Sequence, residues 1–281
     1  MNSTAQYQNN KAVIQISIIV ALVAGLVACI QPAKPTWSDM QQAEHRSHAN
    51  IMRDEYRHPT ETLAFFEVEP CHTVVEIWPG AGWYTEILAP VLRSCGTLHA
   101  AHFSPASDVP YFRKSLENYK QKLADNPRIY DAVVLSVLQP PSFTRMISPG
   151  TADRVLTFRN VHNWLKAGTA EQVFASAFEA LKPGGVFGVV EHRAKPGTDL
   201  QTMIDSGYVT EAKVVQLAEA AGFKLLARSE INANPLDDTV YPKGVWTLPP
   251  SLRLGDEDRM KYLAIGESDR MTLKFVKPAN G

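Results

Sequence analysis

The sequence lacks an excess of charge of either sign, because 28 lysines and arginines stand against 29 acidic residues in a chain of 281. Without a basic field, the composition predicts no nucleic-acid partner and no general attraction to an anionic surface. No G-x-S-x-G segment occurs, which excludes the nucleophile elbow of the serine α/β-hydrolases. Internal repeats and linker-like segments are also absent from the sequence, so its length fits one domain.

Cysteine is scarce, with three residues, and Cys29 directly follows a mostly apolar run from Ala12 to Ala28. A lone Lys11 before such a run is typical of a secretion signal. Its end, Leu-Val-Ala-Cys, resembles the lipobox of bacterial lipoproteins, in which the cysteine becomes the lipidated first residue. The alternative is an uncleaved membrane helix, since the run is near the lower limit of about 17 to 25 apolar residues for a span. Both predict an exported protein, periplasmic or an outer-membrane lipoprotein, that contacts the membrane through Cys29 or the N-terminal segment.

The remaining chain divides into a helical lead-in, residues 30–70, and a main domain, residues 71–281, after the signal of residues 1–29. In the main domain, short apolar runs alternate with amphipathic segments, a pattern that predicts a doubly wound α/β fold with a mostly parallel sheet. Strands are predicted at 73–78, 97–103, 131–137, 154–158, 185–191, 222–228 and 271–277, and helices at 83–93, 110–124, 170–181 and 210–221.

A glycine turn follows the first predicted strand, in the segment VVEIWPGAGWYT of residues 74–85. Glycines let the backbone approach a ligand, and the free amides of a helix start favour a polar or negative group. The segment resembles the cofactor-binding motif of class I S-adenosylmethionine-dependent methyltransferases, in which an acid ends strand one before a glycine-rich turn. Glu76 matches that acid, and Gly80 and Gly82 match the last two glycines.

The resemblance covers residues 74–278 and includes the phrase LKPGG before the fifth strand, which is frequent in the family. The chain also looks like a branch of exported methyltransferases. The resemblance implies a seven-stranded, Rossmann-like sheet whose last strand, 271–277, inserts antiparallel beside strand five. It further implies S-adenosyl-L-methionine as cofactor and methyl transfer to a small-molecule or envelope acceptor. The alternative function is a non-catalytic or repurposed ligand-binding lipoprotein on the same scaffold.

Two residues depart from the family pattern in the expected cofactor site. Trp78 replaces the usual first glycine and would crowd the cofactor or stack on it. His102 replaces the acid that accepts hydrogen bonds from the ribose hydroxyls, although a neutral imidazole can still accept one. The resemblance implies cofactor contacts from Glu76, Trp78, Pro79, Gly80, Ala81, Gly82, Tyr84, His102, Phe103, Arg159 and Asn160.

Candidates for acceptor chemistry follow the fourth and fifth strands, because open α/β sheets bind ligands at the carboxyl ends of their strands. Methyl transfer needs positioning, and a base if the acceptor must lose a proton. His162 or His192 could be that base, with Tyr208 as a further polar group, whereas Arg159 and Arg193 could hold an anionic acceptor. The competing interpretation is that the segment around His162 only ties the loop to the next helix. The insertion at 231–268, which includes Tyr241 and Trp246, is expected to form a lid or a local core.

Other cofactors fit the sequence less well. The turn is a near match to the dehydrogenase motif G-x-G-x-x-G, but Thr85 occupies the third glycine position. No metal site is expected: His99 and His102 lie three apart on a strand and face opposite sides. His45 and His48 have helical spacing, but the sequence suggests no third ligand for them.

With Cys29 assigned to a lipid, Cys71 and Cys95 remain as a pair. Each lies two residues before a predicted strand, and strands one and two are neighbours in the fold that the resemblance implies. We therefore predict a Cys71–Cys95 disulfide, which suits an oxidising compartment.

Overall fold

The computed structural model describes residues 35–279, so the predicted signal and Cys29 lie outside the described residues. Within this range, none of the helices has both the length and the apolar character of a membrane span. The α-helices are α1 Trp37–Gln41, α2 His48–Ile51, α3 Asp54–Arg57, α4 Pro59–Phe65, α5 Thr85–Leu92, α6 Pro110–Asp125, α7 Pro127–Tyr130, α8 Val161–Ala167, α9 Ala170–Ala180, α10 Leu200–Ser206, α11 Glu211–Ala220 and α12 Arg259–Ile265, and Gly244–Thr247 is a 3₁₀-helix.

Seven strands form one sheet in the order β3-β2-β1-β4-β5-β7-β6. Neighbours among β1 to β5 pair in parallel, whereas β7 lies antiparallel between β5 and β6. The predicted doubly wound fold, with an antiparallel last strand beside strand five, is confirmed. The strands are β1 Thr73–Ile77, β2 Thr97–His102, β3 Val134–Val137, β4 Ala152–Phe158, β5 Leu181–His192, β6 Lys224–Ser229 and β7 Arg270–Val276.

Helices cover both faces of the sheet, which is why its central strands are apolar on both sides. Val74 and Val75 are adjacent in β1 and fully buried, yet they belong to separate core clusters on the two faces. Leu63 and Phe66, from the predicted lead-in, are fully buried in the cluster around Val74. Residues 59–66 therefore complete the core of the sheet domain.

The third strand is shorter than predicted. Residues 131–133 leave the short helix α7 through a turn, in which the Val133 amide donates to the Tyr130 carbonyl, and β3 begins only at Val134. Asp131 bonds the exposed Arg93 side chain instead of joining the sheet.

The predicted disulfide is confirmed, because Cys71 and Cys95 are bonded to each other two residues before the starts of β1 and β2. Thr73 and Thr97, the first residues of these two strands, are register partners in the parallel pair. The pairing of the strands therefore brings the two cysteines together.

Candidate functional site

A cavity of about 970 Å³ opens at the carboxyl edge of β1, β2 and β4. This edge is where open α/β sheets bind ligands, and the volume suits a cofactor together with a small substrate. The cavity is lined by residues from the strand ends, from α6 and α8, and from the insertion; among them are Trp78, Gly80, Phe103, Phe112, Asn160, His162, Tyr241 and Trp246.

The two glycines of the turn have different structural roles. Both have positive φ angles, 60° at Gly80 and 77° at Gly82, a conformation that side chains rarely adopt. A Cβ added at Gly80 would meet no atom within 4 Å, so this backbone borders open space in the cavity. A Cβ at Gly82 would lie 3.0 Å from Tyr119 and 3.1 Å from Lys122. Gly82 thus allows the turn to pack on α6, while Gly80 leaves room for a ligand.

Trp78 forms an aromatic wall of the cavity and is held in place. Its indole Nε1 donates to the Leu138 carbonyl at 2.8 Å. Its ring centroid lies 4.6 Å from that of Phe103 and 5.9 Å from those of Phe112 and Trp164. The structure therefore places a flat apolar surface where the family pattern has its first glycine.

Asn160 joins the ends of β1 and β4 at the cavity wall. Its Nδ2 donates to the Ile77 carbonyl at 3.0 Å and to Thr157 Oγ1 at 3.2 Å. These bonds keep the turn after β1 close to the start of α8, where His162 lies.

His102 and Glu76 lie beneath the turn and do not line the cavity. His102 is fully buried, its Nδ1 accepts from the Phe103 amide at 2.8 Å, and burial lowers its pKa to about 4, so it is neutral. The next residue, Phe103, occupies the cavity wall instead. Glu76 Oε2 accepts from Thr85 Oγ1 at 2.7 Å, and burial raises the pKa of this carboxyl to about 7.

Pro79, Ala81 and Tyr84, which were expected to contact the cofactor, instead form part of the turn or pack behind it. The Pro79 carbonyl accepts from the Gly82 amide at 2.9 Å, and Ala81 is exposed at the tip. Tyr84 is buried and stacks on Phe158, with 3.5 Å between ring centroids. None of the three lines the cavity.

Of the three predicted catalytic residues, His162 alone lines the cavity, and Glu191 orients it. Glu191 is fully buried at the end of β5. Its Oε1 lies 3.0 Å from His162 Nδ1, and its Oε2 accepts from the Val161 amide at 2.6 Å and the His162 amide at 3.3 Å. Because the carboxylate accepts a hydrogen bond from Nδ1–H, the tautomer with a free Nε2 is favoured. Glu191 was not among the site residues predicted from the sequence, although an acid at the end of strand five was a visible signal.

His192 and Tyr208 are engaged elsewhere. His192 Nδ1 bonds the Ser268 hydroxyl, and burial together with the nearby His162 and arginines holds the pKa of His192 well below its usual range. The Tyr208 hydroxyl donates to the Asp237 carboxylate at 2.9 Å, in a small core with Val245.

His162, Glu191 and His192 bring three possible metal-ligand atoms within 4.8 Å of one another, a grouping that the sequence analysis did not foresee. Both Glu191 oxygens, however, already accept bonds from the amides of residues 161, 162 and 192 and from the His162 ring. The geometry is that of a hydrogen-bonded network that fixes His162.

Two arginines expected near an acceptor have unlike environments. Arg193 forms bidentate bonds to Asp269 and Glu230, at 2.7 to 2.9 Å. Arg159 instead lies 3.8 Å from Glu267 and does not line the cavity.

Among solved structures, an S-adenosylmethionine-dependent methyltransferase from Aquifex aeolicus is 13% identical, with a TM-score of 0.54 over 87% of this chain and 100% of that chain. The [4+2]-cyclase SpnF gives a TM-score of 0.55 at 14% identity, over 85% of this chain and 86% of that one. The glycopeptide N-methyltransferase MtfA, complexed with sinefungin, gives a TM-score of 0.50 at 14% identity, over 80% of this chain and 94% of that one. No protein-family model matches the sequence, and no curated protein does. At such identities the similarity establishes only the fold, which is that of the class I methyltransferases. Because SpnF is a cyclase with this fold, the reaction must be argued from the residues of the site.

Proposed function

We propose that this protein transfers a methyl group from S-adenosylmethionine to a small-molecule or envelope acceptor. The observation that carries the proposal is the cavity at the carboxyl edge of the sheet, with the open backbone of Gly80 on one side and the oriented His162 on another. The first feature suits a cofactor that lies against the turn, and the second suits an acceptor that must lose a proton.

The residues of the cavity fit S-adenosylmethionine in shape and chemistry. Trp78 and Phe103 offer aromatic faces, which stack on a flat heterocycle and attract a sulfonium cation. Ser115, on the wall formed by α6, offers a hydroxyl to the ribose in place of the family's acid. When bound, the cofactor supplies an electrophilic methyl group.

His162 is the proposed general base. With Nδ1–H directed at Glu191, its Nε2 lone pair is free to accept a proton from the acceptor. The Glu191 carboxylate then stabilises the imidazolium that forms, and it is itself held by backbone amides on both oxygens. Asn160 contributes by fixing the distance between this base and the turn.

We further propose that the protein acts in the cell envelope, as a lipoprotein anchored through Cys29. The secretion-like N-terminus supports this location, and so does the Cys71–Cys95 disulfide, because disulfides persist in oxidising compartments.

Calorimetric titration of S-adenosylmethionine and S-adenosylhomocysteine into the purified protein tests the cofactor. We expect micromolar affinity for both, since Gly80 and the aromatic wall remain available. Absence of heat at millimolar ligand, from protein shown to be folded by circular dichroism, would overturn methyl transfer from this cofactor.

A further inference from the structure

Four arginines surround a single buried carboxylate beside the carboxyl ends of β4 and β5. Glu267 is 2% exposed. It accepts from Arg57 Nε at 3.0 Å, from Arg53 Nε at 2.5 Å and from Arg270, and Arg159 lies at 3.8 Å. We name these five residues the arginine cluster. It joins α3 of the lead-in, through its N-cap Arg53 and its last residue Arg57, to the end of β4 and the start of β7.

The charges of the arginine cluster do not balance. Four guanidinium cations face one carboxylate, which leaves three positive charges in a largely buried place. Burial, followed by repulsion from Arg270, lowers the pKa of Arg159 to about 10. Buried charge without a partner is costly, so this arrangement favours an anion as its complement.

The cluster also holds hydrogen-bond donors without acceptors. Both terminal nitrogens of Arg57 and the Nε of Arg270 are buried and have no partner among residues 35–279. Trp83 covers one face of the Arg57 guanidinium, 4.7 Å from its ring centroid, but accepts at most weakly. Arg159 forms no side-chain hydrogen bond within the described part of the chain, and the carboxylate of Glu267 lies 3.8 Å from its guanidinium.

The backbone of Arg159 is held in an unfavourable conformation. Its φ is 61°, a left-handed value that non-glycine residues rarely adopt. The Arg159 amide still donates to the Val190 carbonyl at 2.7 Å, and the next residue, Asn160, lines the cavity. The guanidinium of Arg159 therefore lies in the arginine cluster, while the next residue in the chain borders the cavity.

We infer that Arg53, Arg57 and Arg159 form a binding site for an oxyanion, either a carboxylate or a phosphate group of a ligand. Planar guanidinium groups bind such oxygens through paired, charge-assisted hydrogen bonds. A dianionic phosphate matches the three excess charges best. Arg53 and Arg159, whose side chains are each 24% exposed, would form the entrance, and Arg57 the buried end.

Titration of inorganic phosphate into the full-length protein, in phosphate-free buffer and without any cofactor, tests the site. We expect Arg159→Gln to weaken phosphate binding about tenfold or more, because hydrogen bonds to a charged group are lost. Arg193→Gln is the matched control: its side chain is 23% exposed and it also loses one positive charge, but its guanidinium is already paired. The phosphate affinity of Arg193→Gln should stay within about twofold of that of the wild type.

Phosphate that fails to bind wild-type protein, or that loses affinity equally in both variants, would overturn the site. Folding of Arg159→Gln is checked by thermal unfolding without phosphate, where removal of one of four neighbouring cations should not lower the midpoint. Because no cofactor is needed, failure here is distinct from failure of methyl transfer.

A second titration identifies where the oxyanion comes from. If phosphate competes with S-adenosylhomocysteine, the site holds the carboxylate of the cofactor. If phosphate and S-adenosylhomocysteine bind together, the site holds an anionic group of the acceptor, and the substrate is an organic phosphate or carboxylate. Both outcomes support the oxyanion site.

Discussion

Two histidines end up at the same sheet edge with different partners, and the partner decides their roles. His162 Nδ1 faces the Glu191 carboxylate, whereas His192 Nδ1 faces the Ser268 hydroxyl. A carboxylate fixes the tautomer and stabilises a protonated ring, but a hydroxyl does neither as strongly. His192 is also close to Arg270 and Arg159, which disfavour its protonation. His162 is therefore the better candidate for the proposed general base.

Replacement of Glu191 by glutamine should disturb both stability and the His162 ring. Donors from residues 161, 162 and 192 converge on the carboxylate, and an amide nitrogen would leave at least one without an acceptor. We expect Glu191→Gln to lower the free energy of unfolding by about 1 to 3 kcal/mol. ¹⁵N NMR should then show loss of the pure Nδ1–H tautomer. The exposed Glu230→Gln is the control, and equal losses in both variants would contradict the assignment.

The contribution of Gly80 to ligand binding can be tested separately from the backbone strain that any side chain at this position would cause. Gly150 has a similar φ, 66° against 60°, and a Cβ at either position would meet nothing within 4 Å, but Gly80 alone borders the cavity. Gly80→Leu and Gly150→Leu should each cost about 1 to 2 kcal/mol from the left-handed conformation. Only Gly80→Leu should abolish binding of S-adenosylhomocysteine by calorimetry. Unchanged affinity in Gly80→Leu would place the cofactor elsewhere.

Glu76 predicts a pH dependence of stability. The pKa of its carboxyl is 4.5 when exposed and about 7 in the fold, mainly because of burial. Between these values the native state holds a proton that the unfolded state releases, so the contribution of Glu76 to stability falls as pH rises through this window. Glu76→Gln cannot ionise. The free energy of unfolding of Glu76→Gln relative to wild type should therefore increase by about 3 kcal/mol from pH ~4.5 to ~7, measured by urea unfolding. A constant difference would show that folding does not raise the pKa of Glu76.

At the scale of elements, the disulfide ties the first two strands together where they enter the sheet. Cys71 and Cys95 are 24 residues apart in sequence, and closing such a loop stabilises a fold by about 3 kcal/mol. The variant Cys71→Ser/Cys95→Ser should lose that amount in urea unfolding. Reductant should lower the free energy of unfolding of the wild type to that of the variant and leave the value of the variant unchanged. If the variant unfolds at the midpoint of oxidised wild type, the cross-link does not stabilise this fold.

The strands and the turn could be predicted from sequence because both depend on local patterns. Continuous apolar runs marked β1, β4 and β5, and glycine spacing marked the turn. The orientation of single residues at strand ends could not: His102 was expected in the cofactor site, but the strand turns it into the core and Phe103 lines the cavity. Tyr208 was expected near the acceptor, but Asp237, far along the chain, holds its hydroxyl.

The sequence suggested Arg159 as an anion-binding residue, but its partners in the arginine cluster could not be predicted, for a related reason. Its members come from the lead-in, from the end of β4 and from the start of β7. Arg53 and Glu267, which are hydrogen-bonded, lie 214 residues apart in sequence. The composition showed balanced charge for the chain as a whole, with a formal net charge of −1. Three excess positive charges at one place are compatible with that total, since a sum carries no information on position. The proposed recognition of an anionic ligand thus depends on the fold and not on the overall charge.

The proposed location of the whole molecule can be tested at Cys29, because lipidation of this residue distinguishes a lipid anchor from an uncleaved membrane helix. A lipidated cysteine would incorporate labelled palmitate, and two or more acyl chains on it would hold the protein in the membrane fraction. We expect Cys29→Ser to abolish the label, while Cys71→Ser/Cys95→Ser, which leaves Cys29 intact, keeps it. An unlabelled wild-type protein that stays with the membrane would instead support an uncleaved N-terminal helix. A wild-type protein found unlabelled in the cytoplasmic fraction would contradict export, and the oxidised Cys71–Cys95 pair would then need another explanation.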